Sequence, residues 1–185
     1  MFIASLLSSR QAEDKLSDKS AFWFFRKKII KVELIYLPMY LFSVKLEDTK
    51  GHIYSDKVSI DGIKGEFASF IEPEYKNRPE VKAISDFVLT EEEAKKVAED
   101  EYSRYLFENN LKTQNKVRVT DLSPGIKIFY PFWIGYFKRQ KAYDFNVIDA
   151  VNGSKQGVKM RPVFIELLLR ISDIKNKIKL AGICY

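Results

Sequence analysis

The strongest constraint on this chain is a pattern that occurs twice. Ile35-Tyr36-Leu37-Pro38-Met39-Tyr40-Leu41 leads on to Ile60-Asp61-Gly62-Ile63-Lys64-Gly65. Ile128-Phe129-Tyr130-Pro131-Phe132-Trp133-Ile134 leads on to Ile148-Asp149-Ala150-Val151-Asn152-Gly153. The prolines lie 93 residues apart and the aspartates 88. The first connection is therefore five residues longer, and the excess falls on Glu47-Asp48-Thr49-Lys50-Gly51, a turn-forming run where insertion is tolerated.

Aromatic and β-branched runs suit the pleated, half-buried surface of a strand. Each pattern thus predicts a strand, a turn and a second strand: Lys31–Leu46 with His52–Ile60, and Ile126–Arg139 with Ala142–Ile148. The central proline cannot donate to a sheet ladder, which predicts an edge position or a bulge. The Asp and Gly close each second strand, the carboxylate bonding to the turn backbone and the glycine free to take positive φ.

Thr90-Glu91-Glu92-Glu93 is a capping box that predicts a helix over Thr90–Asn109, with Ala94, Val97, Ala98, Tyr102, Tyr105 and Leu106 as its apolar stripe. A duplication calls for a counterpart near residues 3–20, where Ile3, Leu6, Leu7, Ala12 and Leu16 are spaced to allow one. Pro162 suits the first turn of a last helix over Pro162–Lys179, with Val163, Phe164, Leu167, Leu168, Ile171, Ile174 and Ile178 on its buried face. Pro73 and Pro79 make Glu72–Val81 read as a linker. The expected fold is α+β: two tandem antiparallel β-hairpin units related by a pseudo-twofold internal duplication, with helices packed on one face. The units run 1–88 and 89–185, as two domains or fused as one.

The Leu-Thr-Glu-Glu-Glu-Ala helix start, the strand pair and the ending Val147-Ile148-Asp149-Ala150-Val151-Asn152-Gly153 resemble PepSY-type repeats, over about residues 89–157 and again at the turn Ile60–Gly65. The resemblance implies a small cystatin-like arrangement of helix across sheet and a noncatalytic modulatory or binding role. It transfers no catalytic residue. Tyr130-Pro131-Phe132-Trp133 departs from the family pattern.

The chemistry that the residues exclude is wide. His52 is the only histidine, so no triad or two-histidine metal site can be built on that residue type. Cys184 is the only cysteine, which rules out an intrachain disulfide and points to a reducing, cytoplasmic setting. The opening Met-Phe-Ile-Ala-Ser-Leu-Leu lacks the basic region of a signal peptide and the length of a membrane span. Neither phosphate-binding glycine motif occurs. No metal, cofactor or catalytic residue is assigned, although an enzyme without a recognisable motif stays open as a third reading.

Two sets of residues are candidates for binding. Tyr36, Tyr40, Tyr130 and Trp133 flank the prolines, and a bulge there would splay them onto an aromatic sheet surface for a protein, peptide or small-molecule ligand; otherwise they fill the core. Trp23, Arg26, Lys27 and Lys28, with Lys138 and Arg139, combine aromatic and basic groups that could meet nucleic acid or an anionic membrane. Net charge +6 favours anions only weakly. Asp61 and Asp149 have a sufficient structural cause in their turns.

Overall fold

Both proline-centred runs are strands that continue through their proline. The protein is described by a computed structural model covering residues 1–17, 28–69, 75–76, 84–112, 116–139 and 142–180. In chain order the elements are β1 (Phe2–Ile3), α1 (Ser9–Leu16), β2 (Ile29–Asp48), β3 (Ile53–Asp61), β4 (Phe67–Ser69), β5 (Tyr75–Lys76), α2 (Glu91–Lys112), β6 (Val117–Leu122), β7 (Ile126–Arg139), β8 (Ala142–Asp149) and α3 (Arg161–Leu180). Among the described residues, three helices and a mixed sheet make the class α+β; the mixture arises because β1 lies parallel to β7, whereas both hairpins are antiparallel.

Two compact units divide the chain. The β3 unit comprises Pro38–Glu72 and Asp86–Ile128. The β8 unit comprises Met1–Leu37, Pro73–Ser85 and Phe129–Tyr185. Each draws on both halves of the sequence, and the reason is visible in the backbone bonding.

In the β3 unit, Met39 faces Asp61, so Pro38 faces Gly62, and the Gly62 amide donates to the Pro38 carbonyl at 2.7 Å. Opposite residues at such a position normally exchange two hydrogen bonds. Proline has no N–H to return, so the Gly62 carbonyl must find other donors. It accepts from Val88 (2.7 Å) and Leu89 (3.0 Å), the two residues that lead into α2. In the β8 unit, Phe132 faces Asp149 and the Ala150 amide donates to the Pro131 carbonyl at 3.2 Å. The Ala150 carbonyl accepts from Leu6 (2.9 Å) and Leu7 (3.0 Å), which lead into α1. The prolines thus sit neither at an edge nor at a bulge, as the lost donor alone suggested. The one register shift along β2 in its pairing with β6 falls between Lys45 and Leu46.

Each docked lead-in runs straight into a capping box. Thr90 and Glu93 close one, with the Thr90 amide on Glu93 Oε2 at 2.8 Å and the Glu93 amide on Thr90 Oγ1 at 3.2 Å. Ser8 and Gln11 close the other at 2.9 and 3.3 Å. Capping fixes where each helix begins, and the carbonyl fixes where that beginning sits on the sheet. Helix α2 lays Ala94, Ala98 and Tyr102 on Tyr40, Phe42, Val44, Val58 and Ile60. Helix α1 lays Ala12 and Leu16 on Ile148, with Trp133 packed alongside. A Cβ on Gly135 would meet Leu16 Cδ1 at 2.9 Å, so the glycine in β7 is what lets α1 come this close.

The helices do not all lie on one face. In the β8 unit Trp133 meets α1, whereas its neighbour Phe132 meets Phe164 of α3 with ring centroids 5.0 Å apart. Successive strand side chains point to opposite faces, so α1 and α3 cover opposite faces of β7 and β8. The first helix sought near residues 3–20 exists but is short. Four strands went unforeseen: β1, β4, β6, and β5 inside the stretch read as a linker. Pro73, Pro79 and Cys184 lie outside the described residues.

Replacing either proline by alanine restores an N–H aimed at a carbonyl that already accepts two bonds, and loosens the unfolded chain. Pro38→Ala and Pro131→Ala are each expected to lower unfolding free energy by about 1–2 kcal/mol in urea titrations.

Candidate binding cleft at the edge of the second hairpin

The turn aspartates are buried, and each commits its Oδ1 to two turn amides. Asp61 Oδ1 accepts from the Ile63 and Lys64 amides at 2.9 and 2.8 Å, and Oδ2 accepts from Glu66. Asp149 Oδ1 accepts from Val151 and Asn152 at 2.7 and 3.1 Å. Gly65 and Gly153 take the positive φ these turns need, 82° and 76°. Burial pushes the Asp61 carboxyl up, against the pull of the Lys64, Glu66 and Ile63 amides. The hydroxyl of Tyr130 donates to Asp149 Oδ2 at 3.0 Å, and burial, then that carboxylate, raises the phenol far above its ordinary value.

A further matching pair escaped the sequence reading. Asp56 and Asp144 each stand five residues before the turn aspartate. Each accepts from the amide of the residue that follows it, Lys57 at 2.8 Å and Phe145 at 2.9 Å. Their other partners differ: Asp56 Oδ2 accepts from the Tyr102 hydroxyl of α2 at 2.7 Å, and Asp144 Oδ1, the oxygen that takes the Phe145 amide, also accepts from the Arg161 guanidinium at the start of α3. The spacing Asp-x-x-x-Ile-Asp was there to be read.

Three of the four aromatic candidates are core, and the fourth packs against it. Tyr36, Tyr40 and Tyr130 are 3%, 1% and 8% exposed, and Trp133 is half-buried. The Tyr40 hydroxyl donates to the Leu89 carbonyl at 2.8 Å, and Trp133 Nε1 donates to the Leu7 carbonyl at 3.0 Å. Both stand two residues after their proline and bond to the lead-in of the docked helix. Tyr36 packs edge-on against Phe2 at 5.3 Å. With no bulge at either proline, nothing splays these rings outward, and the sequence-based aromatic ligand surface is corrected accordingly.

Of the basic-aromatic candidates, Trp23, Arg26 and Lys27 lie outside the described residues. Lys28 and Lys138 are exposed, and Arg139 is the last residue of β7. His52 is paired: its Nδ1 meets Asp48 Oδ2 at 3.0 Å in the first hairpin's turn, where Asp48 Oδ1 also accepts from the Lys50 and His52 amides. The His52 side chain above all, then those amides, hold the Asp48 carboxyl at about 2. No group of three or more metal-ligating side chains occurs among the described residues, and none of the described helices is long and apolar enough to cross a membrane.

What remains as a site is a cleft of about 220 Å³ in the β8 unit. Its apolar walls are Leu16, Phe145, Val147, Val158 and Phe164; Lys155 and Arg161 stand at its rim. It opens at the outer edge of β8, where the chain after Asp149 makes only a single bridge, Ile148 to Lys155, before turning at Gly157 into the 3₁₀ turn Val158–Met160. Arg161 crosses that edge, donating to the Phe145 carbonyl at 3.2 Å and lying over the Phe145 ring at 4.6 Å. Its lining is thus mostly apolar, with Lys155 and an Arg161 already held by Asp144 as its cations. In the β3 unit a wider hollow of about 370 Å³ lies beside the first hairpin's turn, and one wall is the Arg118–Glu47 ion pair at 2.8 Å.

A carboxyl held at about 2 rather than its ordinary 3.8 contributes stability above pH 3.8 that fades as pH falls through 2. Carbon-13 titration is expected to give the Asp48 carboxyl a midpoint near 2, and Asp48→Asn is expected to flatten the acid limb of the stability curve. Asp61→Ala, which strands three backbone donors in a buried turn, is expected to lose about 3 kcal/mol in denaturant unfolding. Comparison with protein-family models, with curated proteins and with solved structures gives no match to this chain.

Proposed function

We propose that the chain is a noncatalytic binding module assembled from two copies of one helix–hairpin unit, and that its protein, peptide or small-molecule ligand sits in the cleft beside β8. The observation that carries the duplication is the paired carbonyl, at Gly62 and at Ala150, each facing a proline and each receiving two lead-in amides. Around it the same partners recur at the same offsets: the aromatic two residues after the proline, the capping box, the turn aspartate and its upstream companion. The helix that precedes each hairpin docks on the other one, so a unit of the fold is not a unit of the sequence.

Binding is favoured over catalysis because the carboxylates most deeply buried are occupied by backbone amides, the role of a turn rather than of a proton carrier. The PepSY-type resemblance points the same way. The cleft is favoured as the ligand position because the second hairpin departs from the first there, and departure between copies is where specialisation is expected. Titrating isotope-labelled protein with N-acetylphenylalaninamide, hexanoate and short acetylated peptides should move the amide signals of Val147, Gly157 and Phe164 saturably. A cleft that stays silent to all of them would sink the reading.

A second reading, contact with nucleic acid or an anionic membrane, draws on Lys138, which is exposed and faces Tyr143, itself 76% exposed, across the hairpin. It requires affinity for an RNA oligomer or anionic vesicles that drops steeply with added salt. Binding indifferent to ionic strength would remove it.

A further inference from the structure

Backbone groups along an antiparallel strand point alternately toward its partner and away from it. Ala150 bonds toward β7 through Pro131, so Asp149, Val147, Phe145 and Tyr143 direct theirs to the outer edge of β8. At the first two the returning chain satisfies them. The Asp149 amide donates to the Ser154 carbonyl and the Val147 carbonyl accepts from the Gln156 amide, both at 2.9 Å. The return then leaves the edge for the 3₁₀ turn Val158–Met160 and α3. The first hairpin has a strand at this place: β4 pairs with Val58, Ser59 and Ile60, Ile60 facing Phe67, whereas the second has the single bridge from Ile148 to Lys155.

Past Val147, side chains take over from backbone. The Phe145 amide donates to Asp144 Oδ1 at 2.9 Å, and the Phe145 carbonyl accepts from Arg161 Nη1 at 3.2 Å. Arg161 Nη2 donates to the same Asp144 oxygen, and the guanidinium lies over the Phe145 ring, 4.6 Å from its centroid. One ion pair thus occupies both backbone groups that an added strand would use at this residue. Arg161 is the first residue of α3, whose Val163, Phe164 and Leu167 are buried, so its backbone is anchored in the core.

We propose that Asp144 and Arg161 form a guard on the outer edge of β8 that keeps a second copy of the chain from pairing there. The reading is independent of any ligand in the cleft. Edge strands are templates for further strands, and Tyr143-Asp144-Phe145-Asn146-Val147 has the aromatic and branched residues that favour pairing. Among the described residues β8 pairs with β7 alone, apart from the bridge to Lys155. A second β8 laid antiparallel across Tyr143, Phe145 and Val147 must exchange bonds with Phe145 in each copy. Those groups already hold charge-assisted bonds, which a neutral strand amide and carbonyl replace with weaker ones.

The test is sedimentation velocity on the whole chain over a range of concentrations. Asp144→Ala combined with Arg161→Ala leaves net charge unchanged while opening both groups of Phe145. The double variant is expected to keep the native circular dichroism spectrum and to self-associate at least about tenfold more strongly than the unaltered chain. Adding Tyr143→Pro, at a residue 76% exposed whose outward amide the new ladder would need, should return association to the unaltered level. A folded double variant that associates no more than the unaltered chain would overturn the proposal, as would association that survives Tyr143→Pro. Should the double variant not fold, Arg161→Ala alone decides: it opens the Phe145 carbonyl without touching the core, and association is expected to rise, whereas no rise would count against the guard.

Discussion

Two backbone carbonyls organise this protein. A proline opposite a turn residue withholds one hydrogen bond, and a buried carbonyl left wanting is costly, by about 1–3 kcal/mol. In both hairpins the deficit is met from outside the hairpin, by the pair of amides that lead into a helix. The consequence is a fixed docking point. Once Leu89 or Leu7 is held there, its own carbonyl receives Tyr40 or Trp133, the next residue caps the helix, and the first helical turns are aimed along the sheet. Packing of Ala94, Ala98 and Tyr102, or of Ala12 and Leu16, follows from that aim. The small alanines let each helix approach, and the apolar area so removed from water supplies most of the stabilisation.

The same frame carries two different outcomes. In the β3 unit the long α2, Phe67 and Tyr102 complete a closed core, and Tyr102 also ties Asp56 to the helix. In the β8 unit α1 stops at Leu16, Lys155 replaces the ring, and α3 brings Arg161 to the edge of β8 to hold Asp144 and the Phe145 carbonyl. A charged residue laid along an exposed strand edge discourages unwanted pairing. It also leaves a cleft of about 220 Å³ beside β8.

Much of this was legible in the sequence, and the limits have physical causes. Alternating aromatic and branched residues gave both hairpins nearly to the residue, and Thr90-Glu91-Glu92-Glu93 gave α2, because strand period and helix capping are local. Ser8 and Gln11 form the same kind of box, but the serines around them are weak helix formers and masked it. That α1 would dock on β8 and α2 on β3 was invisible, since it depends on which carbonyl lacks a donor in three dimensions. The prolines were misjudged for the same reason: a missing N–H was counted as a defect of the strand, not as an acceptor released across from it. Period-two patterns cannot say which of two faces is covered, so Tyr36, Tyr40, Tyr130 and Trp133 could be core or surface until α1, α2 and α3 were placed. The contrast between the hairpins at one matched position, Phe67 against Lys155, gains meaning only once their registers are aligned.

Hydrogen bonds transmit measurable scalar coupling from donor nitrogen to acceptor carbon, which makes the docking carbonyls directly observable. A long-range HNCO experiment on doubly labelled protein should connect the Gly62 carbonyl carbon to the amides of Val88 and Leu89, and the Ala150 carbonyl carbon to those of Leu6 and Leu7. Finding those four amides coupled to other acceptors, or exchanging with solvent as fast as an open loop, would contradict the account at its foundation.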